Sequence, residues 1–171
     1  MELRRFFDRA VRAAFTDLGL RDDPAAPYLA DVLARFARTE QLHPRGMAVP
    51  RLETVADMLI EIDAAWRTDA PTWQPEREVT VRRHIGDYTL FMTGIFPERV
   101  ERVASTGFYI SQGKQAYRFV SEHERATTPE GAPMFRRLAE RFEHYAGALD
   151  YARRVYFHDH PRHPFFRLGF R

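Results

Sequence analysis

The stretch VTVRRHIGDYTLFMTGI, residues 79–95, admits two readings. Its first seven residues mix β-branched and polar side chains, as a half-buried strand does. Beyond them, Ile85, Tyr88, Met92 and Ile95 recur every three or four places, which is a helical period. Neighbouring residues carry that period from about Glu76 to Phe96, so the spacing predicts a helix. This reading decides the fold class, because no other segment of the chain is as strand-like. Gly86 and Gly94 each cost about 1 kcal/mol relative to alanine inside a helix. They are read as points of close approach by a neighbouring helix. His84 and Asp87, one turn apart, are read as a polar pair at the edge of the packed face. Asp87 is expected to bond a tyrosine or arginine of the helices that follow.

Amphipathic stripes continue in both directions. Leu3, Phe6, Phe7, Ala10, Val11, Ala14, Phe15 and Leu18 form one, and Gly19 marks its stop. Asp23 before Pro24 reads as the cap of a second helix bearing Leu29, Val32, Leu33 and Phe36. After the loop HPRGMAVP (43–50), Leu52, Val55, Leu59, Ile62 and Trp66 form a third stripe. DAPTWQP (69–75) breaks the pattern again. The helix through residues 79–95 ends at Pro97, where FPERVERVA adds a short turn. Further helices are expected at about 108–124 and, unbroken and longest, at about 134–157. HDHPRHPFFRLGFR then closes the chain without helix. The expectation is an all-α, single-domain bundle of about six helices. N-terminal helices occupy 1–70, a three-helix bundle 75–158 and a non-helical C-terminal tail 159–171.

Composition narrows the classes. At 171 residues with 44% apolar and 29% charged side chains, the chain suffices for one core. No apolar run is long enough to cross a bilayer, and arginines interrupt the N-terminal apolar pattern where a signal peptide would be continuous. A cytoplasmic location follows as the expectation. With no cysteine, thiolate nucleophiles, disulfides and Cys-based metal sites are excluded. Of 26 basic residues only Lys114 is lysine, a usage typical of a GC-rich bacterial genome rather than a mark of a catalytic amine. A net charge of +2, with arginines alternating with acids, argues against a nucleic-acid surface.

GDYTLFMTGIFPERV (86–100), GFYISQGKQAYRFVSEHE (107–124) and FRRLAERFEHYAGALDYA (135–152) resemble a family of bacterial all-helical proteins with no assigned activity. The resemblance covers under half the chain. It implies a bacterial, cytoplasmic, all-helical protein and carries no site residue.

One constellation has metal-site character: His84 and Asp87, Glu122 and His123, and Glu140 and His144. Bundles that hold iron or manganese draw Glu and His from facing helices, with Glu-x-x-His spacing on two of them. Here Glu140 and His144 are four apart, so they share a helix face without that motif. Iron, manganese or zinc is the cofactor this alternative requires. His158, His160 and His163 form a looser cluster in the tail, and the apolar FFRLGF beyond them is expected to dock on the bundle or on a second copy. Ser105, Ser111 and Ser121 lie in helical context without a nucleophile elbow, and GFYISQG lacks a phosphate-loop pattern. The sequence therefore favours a non-enzymatic binding or scaffold module, with a protein partner or a homodimer. Its 21 Phe and Tyr residues point to an aromatic-rich surface. A metal-binding bundle enzyme or metal carrier is the alternative. Anion or nucleic-acid contact through the Arg-rich end, where five arginines follow Tyr151, ranks last.

Overall fold

In a computed structural model, the chain is described at residues 2–37, 75–103, 105–127 and 130–157. The third stripe (52–66), the loops at 43–50 and 69–74 and the tail (158–171) lie outside these residues. The described residues are all-α: α1 (Glu2–Leu18), α2 (Ala25–Phe36), α3 (Pro75–Ile95), α4 (Pro97–Val103), α5 (Thr106–Thr127), α6 (Ala132–Glu140) and α7 (Phe142–Tyr156).

Helix α3 is the centre. It packs against α5 and α7, with α2 and α4 on further sides. From His84 to Met92 every residue is buried. A helix surrounded in this way needs apolar residues all round rather than a stripe, and TLFM supplies them. The expected polar edge is corrected accordingly: Asp87 sits at 0% exposure, inside the protein. Both glycines of α3 mark close approach, as their spacing predicts. A Cβ on Gly86 would stand 2.7 Å from the Tyr117 ring, and one on Gly94 would stand 2.7 Å from Leu149 Cβ. Gly113 of α5 makes the reciprocal concession, facing Phe142 and Thr89.

The N-terminal helices close over this centre. Gly19, at φ 69°, ends α1 in the left-handed conformation, and Leu20 N donates to Phe15 O at 2.8 Å. That reversal turns α2 back along α1. α1 also lies on α7, where Phe6, Phe7 and Phe157 form one aromatic group. One apolar core runs from Phe6 through Phe91 and Phe142 to Phe157. Each large side chain withdrawn into it contributes about 1.5–3 kcal/mol.

Two sequence expectations are corrected. The long helix at 134–157 is two helices, because Arg141 leaves helical geometry at φ −119°, ψ 31°. Apolar spacing runs smoothly across the break from Leu138 to Phe142, so periodicity could not reveal it. At the start of α2, Asp22 rather than Asp23 accepts the Ala25 N–H, at 3.3 Å.

Candidate functional site

Two buried carboxylates organise the polar interior. The first is Asp87 on α3. Its Oδ1 accepts from the Tyr28 hydroxyl of α2 at 2.6 Å and the Tyr117 hydroxyl of α5 at 2.8 Å. Its Oδ2 accepts from the Arg35 guanidinium of α2 at 2.8 Å. Tyr28 and Arg35 are seven residues apart, two helical turns, so one face of α2 delivers both donors. Gly86 lets Tyr117 lie flat against α3 and reach the carboxylate one residue on. Burial lifts the Asp87 carboxyl above its ordinary 3.8 and prevails over the charge of Arg35 and the hydrogen bonds of Tyr28, Arg35 and Tyr117. Burial, then the charge of Asp87, drives Tyr28 and Tyr117 well above the usual phenol value.

The second carboxylate is Asp22, in the connection before α2. Arg137 of α6 grips it with two nitrogens, at 2.8 and 2.9 Å, and the Tyr145 hydroxyl of α7 donates a short hydrogen bond to it. Burial again pushes the carboxyl up. The hydrogen bonds from Arg137 and Tyr145, the charge of Arg137 and the Ala25 N–H outweigh it and hold Asp22 below 3.8. Sequence reasoning missed Asp22, Tyr28, Arg35 and Arg137. The one available signal was Tyr28 and Arg35 on a common face opposite an aspartate in an apolar run.

The six metal candidates are placed differently. His84 is buried, its ring 5.5 Å from Phe36 and stacked on Tyr88. Asp87 is engaged as described. His123 is half-buried on α5, and His144 is exposed on α7. Glu140 pairs with Arg136 at 2.8 Å on the surface. Glu122 and Glu140 both line the groove described next. Among the described residues, no group of three or more His, Cys, Asp or Glu side chains is placed to hold a metal ion. Lys114 pairs with Glu143 at 2.6 Å and ties α5 to α7.

A groove of about 540 Å³ lies between α5 and α6. Ala132, Pro133 and Ala139 contribute apolar surface to it, and Arg118, Arg125, Arg136, Glu122 and Glu140 line it with charge. Ser121 Oγ donates to Ala132 O at 3.1 Å and fastens the two helices beneath it. Arg118 and Arg125 are exposed and make no ion pair with another described residue. The aromatic side chains, by contrast, face inward: among the described Phe and Tyr residues only Phe108 is exposed. No described helix is long and apolar enough to cross a membrane. No family model, curated protein or solved structure matches the chain.

Proposed function

We propose that the chain is a non-catalytic binding module and that it binds through the α5–α6 groove. The observation that carries this reading is a contrast in how polar groups are engaged. Asp87 and Asp22 each accept at least three hydrogen bonds from the protein. Carboxylates engaged to that extent fasten helices together. Arg118 and Arg125 have no such engagement, yet they line a concave surface of ligand-site size. Guanidinium groups free to make paired hydrogen bonds favour a carboxylate or phosphate. The described aromatics form the core, so among the described residues the groove is the surface this reading rests on. In this reading the setting is the bacterial cytoplasm and the occupant is a small anion.

The test is a thermal-shift screen of anionic metabolites against the wild type and the Arg118→Ala/Arg125→Ala double variant. Ligands that raise the wild-type midpoint and fail to raise the variant's are expected. Stabilisation that survives the double substitution would move the site elsewhere. Turnover of a hit, abolished by Glu122→Gln in a folded protein, would replace binding with catalysis.

A further inference from the structure

We infer that the groove takes a small organic molecule with an anionic group at each end and hydroxyl groups between, such as a sugar bisphosphate. The inference rests on the reading of the groove as a binding site and specifies its ligand. It starts from the register of the two helices. Ser121 is fastened to Ala132, and the Tyr117 ring lies 6.0 Å from the Phe135 ring. Position falls along α5 as it rises along α6, so the helices are antiparallel. Arg136 therefore stands level with Arg118 at one end of the groove. Arg125 stands a turn beyond Ser121 at the other.

Seven residues separate Arg118 from Arg125, about 10 Å of helix at 1.5 Å per residue. That spacing lets each guanidinium take an anion of its own. Between them on α5 lies Glu122, which repels an anion at the middle of the groove and accepts hydrogen bonds from hydroxyl groups there. Arg136 holds Glu140 in an exposed pair, with side chains 73% and 55% accessible. Such a pair contributes little and can be exchanged for a ligand anion. The lining thus reads cation, acceptor, cation along its length. The groove is also short. α6 has nine residues, a length of about 14 Å, which suits a small molecule better than a partner helix.

Isothermal titration of the intact protein tests this with four probes: a hexose bisphosphate, a hexose monophosphate, an alkane bisphosphonate of similar span and inorganic phosphate. The hexose bisphosphate should bind about tenfold more tightly than the monophosphate, the contribution of one charge-assisted arginine contact. Arg118→Ala and Arg125→Ala should each erase that margin in proteins whose circular dichroism is unchanged. The alkane bisphosphonate should bind more weakly than the hexose bisphosphate, and Glu122→Ala should close the gap. Equal affinity for the monophosphate and bisphosphate, still lost in Arg118→Ala, would sink the two-ended ligand and leave the binding-module reading standing. Tighter, salt-sensitive binding of a polyglutamate peptide would replace the small molecule with an acidic segment. If the folded wild type binds none of these probes, the inference fails, and the broader screen decides the module reading separately.

Discussion

Asp22 and Asp87 are assembled from the same parts, an aspartate held by tyrosine and arginine, yet their electrostatic balance is opposite. Asp22 receives two nitrogens of Arg137 in a fork and retains 7% exposure. Asp87 receives one nitrogen of Arg35 and two phenols at no exposure. Burial lifts both carboxyls. At Asp22 the fork, the Tyr145 hydroxyl and the Ala25 N–H together overcome it, whereas at Asp87 it prevails. Partner identity alone therefore does not fix the state of a buried carboxylate. The depth of burial, set against the full set of hydrogen bonds and charges on the carboxylate, separates the two. Position in the fold follows the same division. Asp22 joins the chain before α2 to α6 and α7 near the surface, and Asp87 joins α2, α3 and α5 at the centre.

The largest test of that division removes each carboxylate. Asp87→Ala strands the buried Tyr117 hydroxyl and that of the partly buried Tyr28, while Arg35, with 37% of its side chain in solvent, can turn to water, so it should cost about 3 kcal/mol. Asp22→Ala strands only Tyr145, since Arg137, with 35% of its side chain in solvent, can turn to water in the same way. Its cost should be nearer 2 kcal/mol, typical of a hydrogen bond to a charged group. Urea unfolding of both variants measures the difference, and equal losses would erase the distinction between centre and rim.

Adding a methyl group at the Asp87 knot and on the exposed face of α7 sharpens the comparison at smaller scale. Gly86 faces Tyr117, with all three nearest ring atoms within 2.9 Å of a built Cβ. Gly86→Ala should therefore push the Tyr117 hydroxyl off Asp87 and cost about 1–3 kcal/mol as overpacking. Gly147 lies two residues beyond Tyr145 in α7 and meets nothing within 4 Å. Gly147→Ala should gain up to about 1 kcal/mol from helix propensity. Opposite shifts of the thermal midpoint are expected. A destabilised Gly147→Ala would mean that the exposed face of α7 is packed as tightly as the centre.

Much of this architecture was legible beforehand, and the reasons for the rest are specific. The period through Ile85, Tyr88, Met92 and Ile95 identified α3 as helix, and Gly86 and Gly94 announced close neighbours. What periodicity does not report is how many sides of a helix are covered. Asp87 was accordingly expected at an edge when α3 has no edge there. The break at Arg141 is invisible for a related reason: no proline or glycine marks it, and the apolar spacing passes through undisturbed. Asp22 was passed over for Asp23 because local capping rules favour the residue next to Pro24. Its partners Arg137 and Tyr145 are more than a hundred residues away. The groove escaped because isolated arginines on a helix read as solvated surface until α6 is laid alongside α5.

The subtlest consequence of the comparison is a pair of opposite pH dependences. A carboxyl whose folded pKa is lowered binds fewer protons folded than unfolded. Its stabilisation is present above the unfolded value and disappears as pH falls through the folded one. Asp22 belongs to this class, so its contribution is lost below 3.8. A carboxyl whose folded pKa is raised gains stability when protonated. That gain is present below the unfolded value and disappears as pH rises through the folded one. Asp87 belongs here, so its contribution declines upward from 3.8. The clean measurement is a difference, because the other acids of the chain cancel between wild type and variant. The stability deficit of Asp22→Asn should shrink as pH is lowered into the acid range. That of Asp87→Asn should shrink as pH is raised from the acid range toward neutrality. Slopes of the same sign would show that Arg35 and the two phenols hold Asp87 as firmly ionised as the Arg137 fork holds Asp22. The centre of the bundle would then be as electrostatically settled as its rim.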